Sequence, residues 1–233
     1  MSRRQRDLVN DNDLFDPNKS MRMPIYICID SSNEMNRYSE QLKEALEMLL
    51  NDILADGHLN SCVELGIYVF SSNVTKVRET TIVKDIESAA LTIPIDMNCK
   101  SPELGLCLEQ CMKDIRRKQG DYNIKRVNYY QPHIIVFGAS EPLIDNKTEE
   151  VIARIISKQK NKEIFVIPIV IGEGNIEVYK QISENEQVYR GYIFDLKDIF
   201  KTVKSSMNKL TQTSTTIYHK LNSMVTDWNK YLK

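Results

Sequence analysis

The chain of 233 residues has only eight glycines and three histidines, and its 31 basic side chains are almost cancelled by 32 acidic ones. Scarce glycine leaves no Gly-rich phosphate loop: Gly172-Glu173-Gly174 is a pair of glycines in a turn. His58, His133 and His219 have no Ser or Cys beside them in a nucleophile-elbow context, so no enzyme site is legible. A near-zero net charge provides no global field toward nucleic acid or anionic lipid, and partners must be chosen by local surface. Long apolar runs are missing too. The longest, residues 164 to 171, contains Pro168 and is too short to span a bilayer. No leader pattern opens the chain, since Arg3, Arg4 and Arg6 run into Asp7, Asp11 and Asp13; a cytoplasmic protein is the expectation. Five cysteines do not make a paired disulfide framework. Cys107 and Cys111 lie one helical turn apart beside Leu104, Leu108 and Ile115, as reduced core residues would, and with Cys99 they lack the fourth ligand that zinc takes.

What is present is an alternation of strands and helices. Ile25 to Ile29 is continuously apolar, as in a central parallel strand covered on both faces. A long amphipathic helix follows from Asn36 to Ala55, then a strand from Val63 to Phe70 and a weaker edge strand or hairpin from Val74 to Val83. Asp85 to Leu91 reads as a short helix. Ser101-Pro102-Glu103 reads as a helix start capped by Ser101, with Gly120 as its stop. Further strands are predicted at His133 to Phe137, Ile164 to Ile171 and Val188 to Phe194. Between and after them come helices from a capping box at Asn146 to Glu149, after Gly174, and from Asp198. The pattern predicts an α/β fold, doubly wound, with a mainly parallel sheet between helices.

Both ends differ from this middle. Residues 1–22 are polar and rich in Asn and Asp, as in a mobile tail. Residues 211–216 read as a Thr/Ser/Gln linker. Beyond it Leu221, Val225 and Trp228 share one face of an amphipathic helix, which either packs on its own domain or recognises a partner.

The apolar run of the first strand breaks into Asp30-Ser31-Ser32-Asn33-Glu34, and a polar cluster at the carboxyl end of such a strand lies where open α/β sheets bind ligands. The helix start at Ser101 and the loop Gly138-Ala139-Ser140-Glu141 are expected at the same end. This constellation, from about Met23 to Leu210, resembles a von Willebrand factor type A (vWA) domain and is similar to the bacterial TerY-like group. The resemblance rests on the opening Pro24 and Tyr26, on Asp30-x-Ser32, on Ser101 and on the tail Phe200 to Ser206. It implies a metal-ion-dependent adhesion site (MIDAS) of the form Asp-x-Ser-x-Ser, Thr and Thr-Asp-Gly. There hydroxyls and carboxylates hold a hard cation with one position left for a partner's acidic group. Asp30 and Ser32 match, Ser101 replaces the threonine, Glu34 stands in the second serine position, and Gly138-Ala139-Ser140 lacks the aspartate.

A degenerate, metal-free rim of Asp30, Ser31, Ser32, Glu34, Ser101, Ser140 and Glu141 is the expectation, and no cofactor is expected. The alternative is Mg²⁺ on Asp30, Ser32 and Ser101, with Glu34 and Glu141 compensating for the lost charge. An enzyme with an atypical site is a third reading. The resemblance also implies protein partners in a tellurite-type stress system, among them a co-encoded kinase and phosphatase.

Overall fold

A computed structural model describes residues 21–213 and 226–233. The expected tail up to residue 20, Leu221 and Val225 lie outside the described residues. A six-stranded sheet runs in the order β3-β2-β1-β4-β5-β6. Its strands are β1 (Met23–Asp30), β2 (Val63–Phe70), β3 (Val74–Ile82), β4 (His133–Gly138), β5 (Phe165–Ile171) and β6 (Tyr189–Gly191). All neighbours pair in parallel except β3, which folds back antiparallel on β2 at the sheet edge. The helices are α1 (Ser39–Leu54), α2 (Leu59–Cys62), α3 (Leu104–Lys125), α4 (Asn146–Lys160), α5 (Ile176–Lys180) and α6 (Leu196–Thr213).

Side chains alternate across β1, and each set joins a different core. Ile25, Ile27 and Ile29 pack under α1 and α6 with Leu46, Leu50, Phe200 and Val203. Tyr26 and Cys28 face α3 and α4, among Leu104, Leu108, Val151 and Ile155. Covering both faces accounts for the unbroken apolar run in β1 and for the fully buried pattern of β2, β4 and β5. The edge strand β3 shows the half-exposed pattern instead.

Polar anchors close the edges. Asp114 of α3 accepts hydrogen bonds from Lys76 (2.8 Å), Thr80 (2.6 Å) and Tyr68 (3.2 Å) and pairs with Arg117. Burial works against its charge, but the Lys76, Thr80 and Arg117 donors prevail and pull the carboxyl down to about 2. The edge strand is thereby latched to the helix layer.

Several boundaries differ from the sequence expectation. α3 starts at Leu104 without a side-chain cap, and Ser101 is exposed; the Glu103 amide instead donates to the Ser71 carbonyl at 2.8 Å. Gly120 does not stop α3, which ends at Lys125 before Arg126 in the left-handed region. The cap of α4 is Asp145, whose carboxylate accepts from the Thr148 amide at 2.7 Å, not Asn146. The helix expected from Asp85 to Leu91 does not form; a 3-10 turn at Val83–Asp85 ends where it was to begin, and residues 86–91 are irregular. β6 spans three residues, because Ile193–Asp195 turns into α6. α6 runs through Thr213, so the expected linker does not begin at 211.

Trp228 is 1% exposed, and its indole donates to the Ser206 hydroxyl of α6 at 2.9 Å. Leu232 bridges Tyr189 of β6, so this end of the chain packs on its own domain and Trp228 is not free to meet a partner.

His133 at the start of β4 is wholly buried, which pushes its pKa down from 6.5 to about 4. The fold binds the neutral ring, whereas an unfolded chain takes up a proton as pH falls through 6.5. Its contribution is therefore complete above pH 6.5 and is lost as pH falls toward 4, on the order of 3 kcal/mol over that window. Urea unfolding at pH 7.0, 5.5 and 4.5 is expected to show this decline, and His133→Leu is expected to flatten it.

Candidate functional site

β1 is the strand at which the winding changes direction: β2 and β3 lie on one side, β4 to β6 on the other. The crevice that such a reversal opens at the carboxyl ends falls between Asp30 and the exit of β4. Asp30 has the same parity as Tyr26 and Cys28, is fully buried, and reaches across this gap. Its Oδ2 accepts the Ala139 amide (3.0 Å), the Ser140 amide (3.0 Å) and the Ser140 hydroxyl (2.6 Å). Its Oδ1 accepts the Ser32 amide at 2.8 Å. Four donors on one carboxylate supply the charge stabilisation that burial removes.

The neighbouring loops are held by backbone. Ser31 donates to the Phe70 carbonyl and accepts from the Asp96 amide, both at 2.8 Å, and Asn33 donates to the Cys99 carbonyl at 3.0 Å. Asp96 also takes the Ser72 hydroxyl at 2.8 Å, tying the segment after Pro94 to the exit of β2; hydrogen bonds from Ser72 and from the Asn98 amide hold its carboxyl below the usual range. Nothing in the sequence marked Asp96 except its place after a proline. At the floor, the Tyr179 hydroxyl of α5 lies beside Gly138, where any Cβ would overlap the phenol. Burial, and then the nearby Asp30 charge, push this phenol well above its ordinary range.

Of the rim expected from the sequence, Asp30, Ser31, Ser32 and Ser140 come together and are buried. The two glutamates do not turn inward. Glu34 sits in a 3-10 turn (Asn33–Tyr38) with its side chain half exposed, paired with Arg37 at 2.6 Å. Glu141 is exposed and accepts from the Asn175 side chain at 3.3 Å, and Ser101 is exposed on its loop. A hard divalent cation takes about six oxygens, and neither of the glutamates expected to compensate for the lost aspartate turns toward Asp30. The one inward carboxylate is already engaged by four donors. Two buried hydroxyls at this site, those of Ser32 and Tyr179, have no hydrogen-bond partner among the described residues, and that of Ser32 is of a type a cation uses.

Comparison with solved structures identifies the architecture. A von Willebrand factor type A protein from Catenulispora acidiphila superposes with a TM-score of 0.57 at 15% identity, over 82% of this chain and 43% of its own. The fold is that of a vWA domain. The ArnB paralog VWA2 from Sulfolobus acidocaldarius gives 0.54 at 16% identity, over 79% of this chain and 45% of that one. Proximal thread matrix protein 1 from the mussel byssus gives 0.52 at 15% over 79% and 48%, and has also been solved with a zinc-occupied MIDAS motif. This chain spans less than half the length of these vWA structures, and at such identities the likeness is one of fold. No family model and no curated protein sequence matches the chain.

Outside the buried crevice lies an open cleft of about 270 Å³ lined by Glu34, Arg37, Tyr38, Ser140, Glu141, Glu173 and Asn175, with Ala139 and Gly174. Three carboxylates against one guanidinium give it an acidic character. Arg37, Tyr38, Glu173 and Asn175 were not singled out from sequence. Glu173 and Asn175 follow β5 at the same carboxyl edge, which was the available signal.

If Asp30 is a latch between β1 and the β4 exit loop, Asp30→Asn sets an amide NH₂ against fixed N–H donors. The expected loss is about 2–4 kcal/mol, read as a lower urea midpoint with an unchanged m-value. Ser32→Ala removes only an unpartnered hydroxyl and is expected to stay within about 0.5 kcal/mol of wild type or to stabilise.

Proposed function

We propose that the chain is a protein-interaction module that recognises its partner through the acidic cleft at the carboxyl edge of the sheet, without a metal ion and without catalysis. The observation that carries this reading is the outward turn of Glu34 and Glu141. They leave the ion's place and line, with Glu173, an open concave surface beside a rigid buried latch. A basic or donor-rich segment of a partner suits it. On the TerY-like resemblance, we place the module in the cytoplasm, scaffolding a stress-response or phosphorylation-linked system with a kinase and a phosphatase as partners.

Affinity capture with the full chain in EDTA and in Mg²⁺ tests this. Double reversal Glu34→Lys/Glu141→Lys is expected to lower capture at least tenfold, roughly the 1.4 kcal/mol of a modest interface loss. Glu150→Lys, on the exposed side of α4, is expected to leave it unchanged, and EDTA to have no effect. Undiminished capture by the double variant sinks the reading.

A second reading rests on the unpartnered Ser32 hydroxyl, a ligand type that a MIDAS-like ion would use. Calorimetric titration with Mg²⁺ and Mn²⁺ at millimolar concentration decides it. Heat that disappears in Ser32→Ala supports the ion; no heat and no thermal shift removes it.

A further inference from the structure

The packing of α3 on β1 brings Cys28 to Cys107 and Cys111, which lie one turn apart on the helix. All three sulfurs lie within 4.8 Å of one another, and Cys28 and Cys111 are 3.4 Å apart. All are fully buried, reduced, and set among apolar side chains such as Leu104, Leu108 and Val136. Among the described residues no histidine, aspartate or glutamate joins the group. Cysteines serving only as small hydrophobes pack in any direction, whereas here three sulfurs from two elements converge on one point. With metal–sulfur bonds of about 2.3 Å, a pyramidal three-sulfur site places its sulfurs roughly 3.5 Å apart; Cys28 and Cys111 already stand at 3.4 Å, and the whole group lies within 4.8 Å.

Charge selects the occupant. Three thiolates around a monovalent or divalent ion leave net negative charge among buried apolar side chains such as Leu104, Leu108 and Val136, which burial penalises heavily. Around a trivalent centre the complex is neutral. We propose that Cys28, Cys107 and Cys111 form a binding site for a soft trivalent ion of the arsenic(III) or antimony(III) class, held as a neutral trithiolate. Arsenite at neutral pH enters as the uncharged trihydroxide. Three As–O bonds break and three As–S bonds form; each thiol proton leaves with a hydroxide as water, and no oxidation state changes. Entry requires α3 to open locally from the sheet. The site is independent of the cleft: its sulfurs lie inside the α3 layer.

The test is titration of the reduced full chain with arsenite. The expected result is one arsenic per chain with loss of three protons by native mass spectrometry, and a first shell of three sulfurs and no oxygen by X-ray absorption. Cys28→Ala, Cys107→Ala and Cys111→Ala are each expected to weaken uptake roughly 100-fold or more, while Cys62→Ser and Cys99→Ser leave it unchanged. The absorption measurement on wild type stands even where a core variant folds poorly. No uptake, an oxygen in the first shell, uptake that follows Cys62 or Cys99, or retention of Zn²⁺ in preference to arsenite would overturn the proposal.

Discussion

A single buried carboxylate ties together the loops that leave β1 and β4, the paired strands at which the two halves of this sheet meet. Asp30 ends the strand at which the winding reverses, and its acceptors are filled by the amides and hydroxyl of the loop leaving β4 and by the amide two residues on. The charge cannot be left bare there, because an unpaired buried carboxylate is too costly, and three of its four donors are backbone amides of the loops that leave β1 and β4. The neighbouring geometry follows. Gly138 has to be glycine to let Tyr179 under the loop, and Ser140 has to face inward. With the carboxylate spent on protein donors, the polar chemistry of this edge moves outward to Glu34, Glu141 and Glu173 in the cleft.

The sheet was legible in the sequence because strands covered on both faces are nearly all apolar, and β1, β2, β4 and β5 are so except at Asp30, Glu64 and His133. The site was half legible. Asp30 and Ser32 stand out as an abrupt polar break after an apolar run, but the direction of Glu34 depends on a 3-10 turn that sets Arg37 beside it, and that of Glu141 on Asn175, 34 residues away. Ser101-Pro102-Glu103 has the local chemistry of a helix start; the Glu103 amide is taken instead by the Ser71 carbonyl, a tertiary bond that moves the helix start to Leu104. Asp145 and Asn146 are both competent caps, and propensity alone does not separate neighbours.

The cysteines make the same point on the other side of β1. Cys107 and Cys111 are one turn apart in sequence and visibly share a helix face. Cys28 lies 83 residues from Cys111 and joins them only because its parity in β1 points at α3. Parity thus sorts one strand into three roles: Ile25, Ile27 and Ile29 for the α1 and α6 core, Cys28 for the sulfur cluster, and Asp30 for the latch.

On the reading proposed above, Asp30 serves three amides and one hydroxyl of the protein itself and not an ion. This is tested most directly by amide NMR of the full chain titrated with Mn²⁺, whose paramagnetism broadens nearby signals. The Ser32, Ala139 and Ser140 amides are expected to stay sharp and slow to exchange at millimolar Mn²⁺, as fixed buried donors should. Selective broadening of these three amides, reversed by EDTA, would contradict it.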